Sequence, residues 1–155
     1  MAFNILDASI SAINEGRRKA IKTVSLQAVE MITDRVQQEG KASSGRKMAK
    51  YSAAYALVRS KGKAKGQSGS LQTAHVDLTV TGQMMNNLKV IKTGTRAAKI
   101  GFSNKEAQDK ANNTTNLKGT WIKPTKGEQA EIREAFADVL SDVIGKVNKK
   151  TVFKI

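Results

Sequence analysis

A chain of 155 residues with 27 Lys and Arg against 13 Asp and Glu carries a formal charge of +14. That excess means self-repulsion in a compact monomer and attraction to polyanions or acidic protein surfaces, without specifying a fold. The absence of cysteine excludes a disulfide framework, a thiolate zinc site and a cysteine nucleophile. The length suits one domain, residues 1–155, able to bury about two-thirds of its unfolded surface. With 39% apolar and only 5% aromatic residues, its core must come mostly from Ile, Val, Leu and Ala. The opening Met1–Asp7 has no basic region followed by an apolar run. No stretch approaches the ~20 apolar residues needed to span a bilayer. The chain is expected to be made in the cytoplasm and to need no membrane.

In chain order, Ile10, Ile13, Ile21, Val24, Ala28, Ile32 and Val36 recur at three- and four-residue spacing. This predicts a long helix over about 7–39, stopped by Gly40. At 1.5 Å per residue it would be roughly 50 Å long, more than a small globule needs. Between Glu39 and Asp77 there is no acid, and Lys41, Arg46, Lys47, Lys50, Arg59, Lys61, Lys63 and Lys65 stand unopposed in sequence. Within that stretch the Ala-rich run 48–58 predicts a short helix, and the Gly/Ser/Lys-rich run 61–70 a mobile loop. Val76, Leu78 and Val80 alternate with polar residues and predict a strand over 75–80. A helical turn over 83–87 follows, then antiparallel strands over 88–91 and 98–102 joined through Gly94. A polar helix over 104–113 leads into a loop that ends at Pro124. Thr125 and Glu128 form a capping box for the last helix, whose apolar stripe runs Ile132, Ala135, Phe136, Val139, Leu140, Val143, Ile144. Gly145 reads as its stop, and 146–155 as a basic tail whose end, Val152–Ile155, alternates and suits strand addition to a neighbour.

The chemistry-bearing residues point away from catalysis. His75 and Asp77 would share a strand face, but one His without further ligands makes neither a metal site nor a triad, and a solvated Asp77 is the expectation. Glu131, Glu134, Asp138 and Asp142 read as the solvated face of the last helix. The run Gly40–Lys47 superficially follows a phosphate-binding loop, yet Arg46 and Lys47 stand where Lys and Ser/Thr are required. Tyr51 and Tyr55, one turn apart within the basic stretch, suit either base stacking or anchoring of a small helix on the core. No sequence-reading nucleic-acid motif is present. Neither a catalytic residue, a cofactor nor a small-molecule substrate is expected.

The run Leu78-Thr79-Val80-Thr81-Gly82-Gln83-Met84-Met85-Asn86-Asn87-Leu88 is similar to a short stretch shared by the tail-completion and neck proteins of tailed bacteriophages, including the virion morphogenesis group. The strand 98–102, the helical stretch 106–111, and a turn with Gly119, Trp121, Pro124, Thr125 and Glu128 before a closing helix follow in the same order. The resemblance covers about half the chain. It departs where that group carries Arg-Pro-Phe before the last helix, here 119–124, and in the basic insert 61–70. It implies an α+β subunit, with two helices flanking a small antiparallel sheet, that assembles as a ring in the head-to-tail connector of a virion. Its implied partners are itself, portal, adaptor or tail-tube proteins, and packaged DNA. The residues expected to meet them are Lys41, Arg46, Lys47, Lys50, Arg59, Lys61, Lys63, Lys65, Lys146, Lys149 and Lys150. The rival expectation from the charge is a non-specific nucleic-acid-binding protein.

Overall fold

The computed structural model describes the backbone of residues 5–150 and the side chains of residues 10–146. Helix α1 spans Ile5–Asp34 and passes without a break into one π-helical turn, Arg35–Glu39. Ala20, Ile21, Val24, Ala28, Ile32 and Val36 are buried along one side, as their spacing requires. Ser25 and Thr33 on this helix turn their hydroxyls back to Ile21 and Val29 carbonyls at 2.6 and 2.8 Å. The wider final turn buries Arg35 and Val36 side by side. Gly40 then ends the helix in the left-handed region, φ 63°, with its N–H on the Arg35 and Val36 carbonyls. A Cβ at Gly40 would also sit 2.7 Å from the His75 Cβ.

From Lys41 to Lys47 the chain makes a tight hairpin, closed by Ala42 N–H on the Arg46 carbonyl at 2.9 Å. Helix α2 is Ala53–Ser60, later than the expected start at 48, because Ser52 supplies the N-cap through its hydroxyl to Tyr55 N–H. The strand expected over 75–80 is not formed. Leu78 adopts φ 53°, off the extended region, and Asp77 turns inward rather than alternating outward. Helix α3 (Gln83–Asn86) and strands β1 (Leu88–Thr93) and β2 (Ala98–Phe102) follow as expected, paired antiparallel with Leu88 opposite Phe102. The register shifts between Val90 and Lys92. Helix α4 covers Lys105–Lys118, capped by Asn104 on Ala107 N–H, so it takes up residues expected in the loop before Pro124. Helix α5, Lys126–Lys150, opens on the capping box: Thr125 N–H donates to Glu128 at 2.6 Å and Glu128 N–H to Thr125 Oγ1 at 3.2 Å. It does not stop at Gly145. Glycine weakens a helix without ending it unless the chain also turns left-handed, and Gly145 does not.

The fold is α+β, as read from the sequence. The core joins Ile32 and Val36 of α1 with Val76, Met84, Met85, Leu88, Phe102, Ala107, Ala111 and the fully buried Trp121. Trp121 meets Phe102 edge-on at 6.1 Å and donates its indole N–H to Thr114. Helix α1 touches both β1 and β2, and α5 packs along α1. The alternating end expected at 152–155 lies outside the described residues.

The α1/α5 pair is antiparallel, since Arg35 meets Glu128 at one end while Gly16 meets Val143 at the other. Gly16 is buried, and a Cβ built there would fall 1.9 Å from Val143 Cγ1 and 3.2 Å from its Cβ. Alanine gains about 1 kcal/mol over glycine in a helix interior. Overpacking here costs ~1–3 kcal/mol, so Gly16→Ala is expected to lower the urea midpoint despite that gain. Adding Val143→Ala should restore stability toward the parent. A single Gly16→Ala variant more stable than the parent would show that the two helices do not touch there.

Candidate docking surface

Arg59 was expected at the surface with the other cations of the basic stretch. It is fully buried, its side chain at 0% exposure, and must be removed from that set. Its Nη2 donates to both oxygens of Asp77 at 2.6 and 2.7 Å, its Nε to the Gln72 carbonyl at 2.8 Å, and its Nη1 to the Thr79 carbonyl. The expectation of a solvated Asp77 fails for the same reason. Its carboxylate also accepts Tyr51 O–H, Gln72 Nε2 and Thr79 N–H, at 3.0, 2.7 and 2.9 Å. Burying a carboxylate is costly unless it is paired and hydrogen-bonded, and these partners offset that cost. His75 does not join Asp77; its Nε2 lies 2.8 Å from the Gln37 carbonyl, tying the segment to the end of α1.

Of the remaining predicted contact residues, those whose side chains are described are exposed or half-buried. Lys41 is half-buried and opposed by Glu39 at 2.6 Å, and this hydrogen bond holds the Glu39 carboxyl below the usual range. Arg46, Lys47 and Lys50 are exposed on and after the 41–47 hairpin. Lys61, Lys63 and Lys65 are exposed on the loop that follows α2. That loop is organised by Gln67, whose amide donates to the Arg59 and Gly69 carbonyls and accepts from Ala64 N–H. Lys146 is exposed near the far end of α5, about 27 Å along the helix from Glu128. Lys149 and Lys150 belong to the last turn of α5, and their side chains lie outside the described residues.

Tyr51 and Tyr55 meet edge to face at 5.2 Å, and the Arg59 and Lys118 cations lie over the Tyr51 ring at 4.9 and 5.7 Å. The pair is therefore engaged within the protein and anchors α2, rather than standing free as a stacking platform. Burial, then the neighbouring Asp77 charge, pushes the Tyr51 hydroxyl up to about 12. Glu131, Glu134, Asp138 and Asp142 are all exposed along α5. Among the described residues no three His, Asp or Glu side chains gather as a metal site. No described helix is long and apolar enough to cross a membrane.

A second surface feature could not be found from the stripe of α5 alone. Ile10, Ile13 and Leu26 on α1 and Ile144 on α5 are exposed at 49, 38, 52 and 43%. Periodicity identifies the apolar face of a helix but not how much of that face its partner covers.

Replacing Arg59 by Leu should cost ~3–5 kcal/mol in urea denaturation, because Asp77 is left buried and uncompensated. The double replacement Arg59→Leu/Asp77→Leu should cost less than Arg59→Leu, and a larger cost would refute the buried pair. For Tyr51 the sign is set by a folded-state value above the ordinary 10. Its contribution is complete below pH 10 and is lost as pH rises toward 12. In a Tyr55→Phe background, absorbance at 295 nm should titrate near 12 in the folded protein; a midpoint near 10 would place Tyr51 in solvent.

This arrangement is read from its own geometry, for the chain matches no family model, no curated protein and no solved structure.

Proposed function

We propose that this chain is a non-catalytic structural subunit of a bacteriophage head-to-tail connector, assembling as a ring and docking through its basic segments to neighbouring virion proteins and to DNA. The observation that carries the reading is the α1/α5 arm. Two long helices extend from a small core with large apolar side chains, Ile10, Ile13, Leu26 and Ile144, left in water. A monomer gains nothing from keeping them there, whereas a subunit buries them against its neighbours. Heterologous contacts of this kind close into rings when their rotation permits.

The phage assignment itself rests on the sequence resemblance, and the run that carries it has clear structural work. Gly82 turns at φ 72° to start α3, Met84, Met85 and Leu88 enter the core, and the Thr125–Glu128 box starts α5. Such residues are those a shared fold would keep.

The test is the protein's presence in purified particles from its source, with copy number by mass spectrometry and position by electron microscopy. A fixed copy number at the neck is the expected result, and absence from particles would sink the reading. Leu26→Asp should leave the unfolding free energy of the isolated chain, from urea denaturation, within about 0.5 kcal/mol of the parent, as an exposed substitution does, while abolishing incorporation into particles.

One observation favours the rival nucleic-acid reading. Arg46, Lys47, Lys50, Lys61, Lys63 and Lys65 are exposed and, among the described residues, take part in no ion pair. Six phosphate contacts would make affinity for DNA fall roughly 10³-fold between 50 and 200 mM salt. Neutralising Lys61, Lys63 and Lys65 should then flatten that dependence.

A further inference from the structure

Between α2, the irregular segment after Asp77 and the end of α4 lies a groove of about 540 Å³. Its walls are Tyr51, Tyr55, Leu78, Val80 and Leu117, and Lys118 stands at its rim. Leu117 is 75% exposed, the most exposed large apolar side chain described, so it forms a lip on this groove rather than part of the core. Lys118 Nζ donates to the Ala49 and Lys50 carbonyls at 2.8 and 3.0 Å and lies over Tyr51. Two carbonyls leave one of its three N–H donors open, and among the described residues it has no carboxylate partner. Lys50 is exposed beside it, whereas the nearby acid, Asp77, is sealed inside by Arg59. Apolar walls under an unneutralised positive rim describe the ligand by its complement.

We propose that this groove docks a segment of an acidic partner protein, taking an apolar side chain between Tyr55 and Leu117 and a flanking carboxylate on Lys118. A second copy of this chain suits it less well. Ile10, Ile13 and Leu26 on α1 lie among Arg17, Arg18 and Lys22, and Ile144 on α5, although it follows Asp142, is itself followed by Lys146, so each brings positive charge to a positive rim. Nucleic acid does not suit it either. Tyr51 is already packed against two cations and the Tyr55 ring. The wall hydroxyls are engaged, Ser52 accepting from Tyr55 N–H, Thr79 from Gln37 and Thr114 from Trp121, so the groove offers bases mainly the apolar Leu78, Val80 and Leu117. The inference stands independently of any place in a virion, because it follows from the walls and charge of the groove alone.

The experiment is a titration of the ¹⁵N-labelled full-length chain with a blocked nonapeptide that spaces two leucines and a phenylalanine between glutamates. Its control is the same peptide with glutamine at each glutamate, and its rival is a short oligothymidylate. Saturable amide shifts at Tyr51, Tyr55, Val80, Leu117 and Lys118, with a Kd below roughly 1 mM, are expected for the acidic peptide. The glutamine peptide should bind about 10-fold more weakly, as should the acidic peptide to Leu117→Asp or Lys118→Glu. Leu117→Asp is outside the core and should leave the remainder of the spectrum in place, whereas Lys118→Glu also frees the Ala49 and Lys50 carbonyls and should shift the amides around them before any peptide is added. Equal binding of the two peptides, shifts that map away from the groove, no saturable shift at all, or displacement of the peptide by oligothymidylate from the same residues would each overturn the proposal.

Discussion

The contact between Arg59 and Asp77 governs how much of this chain folds at all. Between the end of α2 and the start of α3 there are 22 residues, 61–82, with no helix or strand. Stretches of this length inside a compact domain need a separate reason to be ordered. Only Val76 in them is a buried apolar side chain. The order comes instead from one guanidinium that collects the Gln72 and Thr79 carbonyls and the Asp77 carboxylate, and so holds the second half of the segment to α2. Tyr51 and Gln72 then complete the carboxylate from the other side. A buried ion pair contributes little net stability against an apolar replacement, but breaking it from one side is costly. Its effect here is to fix position.

A second arginine does the same at the opposite end of the core. Arg35 reaches the Trp121 and Lys123 carbonyls and Glu128, joining the last turn of α1 to the start of α5. Burial pulls its guanidinium below the ordinary value, and the Glu128 and Glu39 charges oppose that pull. Glu128 is shared between this pair and the capping box, so the direction in which α5 leaves the core is set by the same carboxylate that starts the helix. With 5% aromatic residues, the chain has few large apolar groups with which to clamp its elements. Two buried arginines supply that registry, and they account for part of an abundance of cations otherwise attributed entirely to binding.

This explains which features were legible in the sequence. Helix α1, the Gly40 stop, the 88–102 hairpin and the Thr125–Glu128 box are local, with their signals within a few residues of one another. The Arg59–Asp77 pair is not local. Counting acids between Glu39 and Asp77 made Arg59 look unopposed, although its partner is the very residue that ends the count. The same pair misled the strand reading. Val76, Leu78 and Val80 alternate correctly, but an inward Asp77 and a left-handed Leu78 are incompatible with an extended ladder. Gly145 misled in the opposite sense, since composition gives glycine's presence but not its φ.

The shape that results separates two kinds of surface by the length of the arm. Near the core, order depends on buried charge, and the apolar groove forms because the irregular 78–80 segment leaves a gap that α2 and α4 line but do not fill. Along the arm, α5 packs on α1 alone among the larger contacts, so its stripe from Ile132 to Val143 is only half-buried and ends in exposed Ile144. Two helices side by side cannot cover the flanks of both apolar faces; a third layer is needed. The close approach at Gly16 shows that the pair is nevertheless tightly seated rather than loosely splayed. An arm that is well packed internally and apolar on its flanks leaves Ile10, Ile13, Leu26 and Ile144 in solvent, and it is to these side chains that the proposed contacts between subunits are assigned.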